Sequence, residues 1–302
     1  MLKNLLYNAV PTADALPSLR TLWCEAFGDD ECFVDAFFAL MRAEDCVHTL
    51  SLEGRVIAAL YALPCELRHG VDTLRVAYIY AVATDKEYRG RGIMRLLMGR
   101  VHEALRAQGY AASLLLPSSA SLAAYYGFMG YRVCASRREV LSDASAARGK
   151  GCSVERAEAV SGDIYEFIEG FFVRRNGIVH SREALEMNRV SCSLAGGGLF
   201  IAKSGGAIRA AAFLSIVGGR PLLLDIFSDS HEAQEALLGA LCREFSVEAL
   251  PLLVCDNSVA PPGSVSDNSS DGNEKRGTPF AMALPFESDF PSVINCSLML
   301  DK

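Results

Sequence analysis

The sequence predicts an α/β (α+β) chain of two tandem domains, each a mixed, mostly antiparallel twisted sheet flanked by helices. Three observations carry this. Short apolar runs bounded by turn residues alternate with stretches of helical periodicity. A three-stranded meander is written once in residues 48–84 and again in 199–227. Between the copies lies SDASAARGKGCS (142–153), a small, polar stretch suited to leaving one core and beginning another. The expected domains are therefore 1–145 and 146–302.

In chain order, residues 14–27 place Leu16, Leu19, Leu22, Trp23 and Phe27 at helical spacing, and a second helix over about 32–42 follows the acidic break GDDE. HTLSLE, the turn Glu53-Gly54, RVIAALYALPCEL, a turn near His69-Gly70 and LRVAYIYAVAT read as an antiparallel meander. From Gly92 to about Gln108, one helical face carries Ile93, Leu96, Leu97, Val101, Ala104 and Leu105, and Gly109 ends the helix. AASLLLP (111–117) reads as a short buried strand, SASLAAYYGF as a helix and GYRVCASRREV as a strand.

The second half repeats this grammar. Helices are expected at 163–175 and around 181–189, followed by LFIA, the turn Ser204-Gly205-Gly206, IRAAAFLSIV, the turn Gly218-Gly219 and PLLLDIF. The two meanders can be laid side by side, SLEGRVIAALYAL on AKSGGAIRAAAFL and AYIYAV on LLDIFS, which points to a duplicated unit. Residues 256–279, rich in Ser, Asn, Gly and Pro, are expected to form a flexible loop. PFAMALPF and VINCSLML then supply closing strands.

Composition narrows the function classes. The ten cysteines are scattered with no CxxC pair and the five histidines include no HExxH pair, so neither a metal site nor a disulfide frame is expected; the cytoplasm is the expected compartment. His102, mid-helix beside Glu103, is expected at the surface or flank. No apolar run reaches the roughly 18–20 residues of a membrane span. Residues 1–150 carry 17 basic and 16 acidic side chains, and residues 151–302 carry 12 and 20. An acidic second half is a poor nucleic-acid surface and a fit attractor for cationic small molecules.

The most informative segment is YIYAVATDKEYRGRGIMRLLM (78–98). An apolar strand runs into a basic, glycine-punctuated turn that opens a helix, presenting backbone N–H groups and a helix N-terminus to one point. Such an arrangement holds phosphate. Arg89 and Arg91 add positive charge, and Gly90 and Gly92 remove side chains that would keep a ligand off the backbone. In the second half the corresponding stretch, Ser228-Asp229-Ser230-His231-Glu232, is acidic and lacks glycine, so the same ligand is not expected there.

These residues carry a family resemblance. RGRGIM resembles the acyl-CoA-binding signature of the GCN5-related N-acetyltransferases (the GNAT family) through Arg89, Gly92 and Met94. YYGFMGYR resembles that family's later tyrosine-to-glycine-aromatic stretch, with Tyr126, Gly130 and Tyr131 in register. Met94 stands where a small residue is usual, and Ser118 where an asparagine often stands. Two tandem units, the first intact and the second degraded, look like the Eis-like branch; a chain stopping at Lys302 would lack that branch's C-terminal lipid-carrier-like domain.

The resemblance implies two GNAT-like domains and acetyl-CoA as co-substrate, held where strands 78–84 and 111–117 splay apart. Its pantetheine arm would pair with the backbone of Ala81, Val82 and Ala83. Its diphosphate would sit on the N–H groups of Gly90, Arg91, Gly92, Ile93, Met94 and Arg95, helped by the Arg89 and Arg91 side chains. Attack on a thioester needs a neutral amine, and at pH 7 an amine of pKa about 10.4 is neutral in roughly one molecule in 2,500, a cost near 4.6 kcal/mol. The departing thiolate needs a proton donor, for which Tyr126 is the candidate, with Tyr125 expected to pack. Glu25, Asp29, Asp30 and Glu31 could line the acceptor mouth or act as solvated caps; Trp23, Phe27, Phe37 and Tyr80 could line the acceptor pocket or form core. The function expected is transfer of an acetyl group to a primary amine of a small molecule or peptide, by a chain that could be a homo-oligomer. A non-catalytic acyl-CoA sensor and a cell-wall aminoacyltransferase-like protein are the alternatives.

Overall fold

The computed structural model describes residues 5–9, 15–143, 151–175, 177–256 and 278–297. Most of the expected inter-domain stretch (144–150) and most of the expected loop (257–277) lie outside the described residues. The chain divides into two compact units, Met1–Arg132 with Met282–Phe290, and Val133–Ala281 with Pro291–Lys302.

Unit 1 begins with β1 (Leu5–Asn8), α1 (Leu16–Phe27), α2 (Glu31–Leu40) and the single turn α3 (Ala43–Cys46). Pro17 sits in the first turn of α1, where its missing N–H costs nothing, and the Asp30 carboxylate caps α2 by accepting the Cys32 N–H. The meander follows as β2 (Val47–Leu52), β3 (Arg55–His69) and β4 (Asp72–Thr84), then α4 (Ile93–Ala107), β5 (Ala112–Leu115) and α5 (Ala120–Phe128). The strands lie in the order β1-β2-β3-β4-β5, with residues 282–285 antiparallel along the far side of β5. Every pairing is antiparallel except β4 with β5, which the intervening α4 makes parallel.

An aromatic cluster joins α1 and α2 to this sheet. The Trp23 ring lies 4.7 Å from Phe37, 5.2 Å from Tyr61 and 5.9 Å from Tyr80, at tilted or edge-on angles. All four are buried, whereas Phe27 is exposed at 40 %. The helical aromatic stripe is therefore core at Trp23, Phe37 and Tyr80.

Unit 2 runs β6 (Arg132–Asp143), β7 (Ser153–Ala157), α6 (Gly162–Arg174), β8 (Gly177–Val179), α7 (Arg182–Leu194), β9 (Gly198–Ser204), β10 (Ala207–Val217), β11 (Arg220–Ser228), α8 (His231–Glu244) and β12 (Ala249–Asp256); the last strand, β13 (Thr278–Pro285), starts in unit 2, and its residues from Met282 onward belong to unit 1. Its strands lie in the order β6-β12-β11-β10-β9-β7, with only β11 and β12 parallel. Alternation along β10 divides the core in two. Ala211 and Phe213 pack with Ile164, Ile168 and Leu185 of α6 and α7, while Ala210, Ala212 and Leu214 pack with Leu237 and Leu241 of α8. The succession β9-β10-β11-α8-β12 repeats β2-β3-β4-α4-β5 of unit 1.

Both meanders, the long helix after the first and the strand at 278–285 form where the sequence places them. VINCSLML differs: among its described residues there is only an isolated bridge, Gly177↔Asn295. His102 differs too, being buried with 6 % exposure. A helix and strand after residue 230 were not anticipated; Pro251 interrupts the apolar run of β12.

Burial pushes the imidazoles of His48, His102 and His180 down to about 4 from the usual 6.5. Between those values the unfolded chain binds protons that the folded chain refuses, so stability is full above about pH 6.5 and falls as pH drops towards 4. Lowering the pH from 7.5 to 5 is expected to cost about 2 kcal/mol per imidazole, read as a lower urea midpoint. Asp225, whose carboxyl burial raises, opposes this trend at lower pH. An unchanged midpoint at pH 5 contradicts the expectation.

Candidate functional site

The site in unit 1 starts from a mismatch in the β3–β4 ladder. Ala59 pairs with Ala83 and Tyr61 with Tyr80, so β4 takes three steps where β3 takes two. This β-bulge puts Ala81 at φ 46°, a left-handed conformation that an alanine adopts only under constraint. On its other side β4 pairs with β5 only through Val76↔Ala112, Ala77↔Ser113 and Tyr78↔Leu114. Beyond Tyr78 the two strands part, and no ladder partner on that side reaches Ala81, Val82 or Ala83 among the described residues. Ala81 and Val82 are half-buried and Ala83 is buried. An open strand edge of this kind offers N–H and C=O groups to an extended, amide-containing ligand.

The loop after β4 is held from below. Asp85, only 5 % exposed, receives the Glu87 N–H on one oxygen at 2.9 Å and the Arg55 guanidinium on the other. It thereby caps the 3-10 turn Lys86–Tyr88. Arg89 Nε donates to the Thr84 carbonyl at 2.9 Å, and the Arg91 guanidinium lies 5.6 Å from the centre of the Tyr88 ring. Gly90 (φ 72°) and Gly92 (φ 75°) both take the left-handed conformation, and a Cβ on either would meet no atom within 4 Å. Backbone shape is therefore what requires glycine here.

Gly92 stands at the N-cap of α4 and, having no side chain, accepts no hydrogen bond from the first turn. The helix N-terminus thus keeps orphan N–H donors and its partial positive charge. Arg89, Arg91 and Arg95 are exposed around it, Met94 is half-buried, and Ile93 turns its side chain into the core while keeping its amide at the corner. The predicted cofactor residues thus form two adjoining features, the open edge Ala81–Ala83 and the basic corner 89–95.

Tyr126 lies on the inner face of α5 with 6 % exposure, and burial pushes its hydroxyl up to about 12. Tyr125 was expected to pack, but it is the half-buried one of the pair, and Arg95 partly offsets the rise that burial causes. The Tyr126 ring meets Tyr131 edge-on at 5.8 Å. Tyr131 is anchored in turn, its hydroxyl 2.9 Å from His102 Nε2 and 2.6 Å from Ser113 Oγ. One buried oxygen thus ties α4, β5 and the chain after α5 together beneath Tyr126. Sequence reasoning missed His102, Ser113, Arg55 and Asp85. Of these, only Asp85 carried a signal, as an aspartate at a strand end two residues ahead of an amide it could accept.

The early carboxylates separate by role. Asp29 accepts from Trp23 Nε1 at 2.6 Å, and Asp30 is the cap of α2. Exposed Glu25 lines two cavities flanking α1. One, of about 210 Å³, also involves Thr84, Asp85, Lys86 and Arg89; the other, of about 430 Å³, involves Arg20, Glu31 and Asp35. In unit 2 the matching corner is self-satisfied: Ser230 caps α8 by accepting the Ala233 N–H, and Asp229 pairs with Arg209 at 2.8 Å. Among the described residues no disulfide joins any of the ten cysteines, and no helix is long and apolar enough to cross a membrane.

Residues 10–134 match the family profile described as Acetyltransferase (GNAT) domain. Solved structures share the fold over most of the chain. A conserved protein of unknown function from Enterococcus faecalis aligns with 94 % of this chain and 73 % of its own at 16 % identity, with a TM-score of 0.70. A GCN5-related N-acetyltransferase from Kribbella flavida aligns with 93 % and 70 % at 17 % identity, with a TM-score of 0.67. Eis1 from Mycobacterium abscessus aligns with 82 % of this chain and 65 % of its own at 14 % identity, with a TM-score of 0.60. No curated protein matches the sequence significantly.

The left-handed Ala81 gives a direct test of the bulge. Ala81→Val puts a β-branched residue at φ 46° and is expected to cost about 2 kcal/mol, whereas Ala81→Gly should stay within about 0.5 kcal/mol of the parent. Chemical denaturation of both variants checks this, and equal stability would remove the strained backbone from the account.

Proposed function

We propose that this chain is an N-acetyltransferase that moves the acetyl group of acetyl-CoA to a primary amine of a small molecule or peptide, in the cytoplasm, as an Eis-like protein of two GNAT-like units. The observation that carries this is the conjunction, in one corner of unit 1, of an open β4 edge and an uncapped α4 N-terminus ringed by three arginines. The first suits a pantetheine arm with two amides, the second a diphosphate. Either alone is common; side by side they match the two ends of one cofactor.

Acetyl-CoA supplies the activated thioester. The chain's own residues bind, orient and manage protons. The backbone of Ala81, Val82 and Ala83 would hold the pantetheine arm. The amides of Gly90 to Arg95 would take the diphosphate, with Arg89 and Arg91 offsetting its charge; each hydrogen bond to a charged partner is worth about 1.5–3 kcal/mol. Tyr126, kept neutral by a hydroxyl pKa of about 12, would hold the proton that a departing thiolate takes up. Glu25, between two cavities, is the carboxylate best placed to attract a cationic acceptor.

Arg89→Ala is expected to raise KM for acetyl-CoA about tenfold with little change in kcat. Tyr126→Phe should lower kcat about 100-fold at nearly unchanged KM. Thiol release against an amine panel measures both, beside the rise in Tm that acetyl-CoA should cause. No stabilisation by millimolar acetyl-CoA overturns the reading. Stabilisation without thiol release for any amine favours the sensor instead.

A further inference from the structure

Unit 2 has its own pair of parallel strands flanking a helix, and their parting is filled by the chain itself. β11 and β12 share a single paired position, Leu223↔Leu252. β11 also carries an irregularity, since Phe213↔Asp225 and Leu214↔Leu223 leave Leu224 as an extra residue. These are the features that open the β4 edge in unit 1. In unit 2, however, residues 294–297 touch both strands. The Ser297 hydroxyl hydrogen-bonds the Asp225 carboxylate on β11, and the Cys296 backbone amide points at the Cys255 thiol on β12.

This segment is fixed along its length. Ile294 N–H donates to the Cys134 carbonyl at 2.9 Å, and Ile178 N–H donates to the Asn295 carbonyl at 2.8 Å. His180 Nε2 lies 2.7 Å from the Ser297 carbonyl, and the Ser297 N–H donates to Asn295 Oδ1 at 3.0 Å. Cys296 is fully buried. Gly177 approaches so closely that a Cβ there would stand 2.5 Å from both the Cβ and the carbonyl oxygen of Asn295. Asp225 is buried and needs donors; Arg175 at 3.0 Å, the Ile226 amide at 2.8 Å and Ser297 supply them. Withdrawing the segment would cost the carboxylate one of these and leave the buried His180 ring without its carbonyl.

We propose that Ile294–Ser297 is the built-in occupant of unit 2, a strap across the parting of β11 and β12 that closes it to any extended ligand. The strap engages the Asp225 carboxylate on one strand and the Cys255 thiol on the other. Together with the self-capped α8, it turns the duplicated unit into a scaffold that takes no acyl-CoA, so that the chain has one cofactor site. This goes beyond the acetyltransferase reading, and its main test uses no cofactor.

The test is a steric one in the full-length chain. Gly177→Ala keeps an allowed backbone but sets a methyl group against Asn295. Iodoacetamide labelling mapped by mass spectrometry should then show Cys296 and Cys255 reacting at least about tenfold faster, with Cys192 and Cys242 unchanged. Ser297→Ala, which adds no clash, should shift the same two cysteines in the same direction by less. Unchanged protection of Cys296 in both variants overturns the proposal. So does an equal rise at all four thiols, which would make the segment part of the core rather than its occupant. Binding of a second coenzyme A per unaltered chain, by equilibrium dialysis, overturns the closure.

Discussion

Between Tyr80 and Ala83 the backbone of β4 takes one step more than β3, and that step drives Ala81 into the left-handed region. A strand with an added residue cannot keep both neighbours in register. Here the β3 ladder resumes at Ala83, while the β5 ladder ends at Tyr78. The open edge, the direction in which β4 leaves the sheet and the place where the 85–92 loop starts all follow from this local accommodation. Bulges sharpen twist and re-aim a strand, which is why such an edge can persist inside a folded sheet without being zipped shut.

The two units show how a repeated succession of elements can diverge in chemistry through a few positions. α4 and α8 both follow the third strand of a meander and both pack on the sheet. Glycine at the cap of α4 leaves its first amides unclaimed, whereas serine at the cap of α8 claims one and Asp229 is already paired with Arg209. The difference between a helix end with unclaimed amides and a closed one is thus a matter of cap chemistry, with the rest of the framework retained.

Much of this was legible because it is written in local code. Turn pairs such as Glu53-Gly54 and Gly218-Gly219 bracket apolar runs, and the RGRG turn announces both the loop and the helix it opens. The bulge was not legible, since nothing in YIYAVAT marks which residue is supernumerary; it is set by the register of β3, a non-local fact. His102 was misplaced because its helical position beside Glu103 looks exposed, while Tyr131 and Ser113, distant in sequence, provide the partners that make burial tolerable. At glycines 90 and 92 a positive φ adds a second reason for glycine to the ligand access read from the sequence.

The carboxylate of Asp85 shapes the turn that leads into the basic corner, yet a bare negative charge at the root of that loop would subtract from the positive field of that corner. Arg55, donated by the neighbouring strand, removes the conflict by cancelling the charge while leaving one oxygen to hold the Glu87 amide. Loop geometry and loop potential are thereby uncoupled. The anchoring carboxylate can be retained for its shape, and the number of exposed arginines above it can drift to tune attraction for anions without remaking the turn.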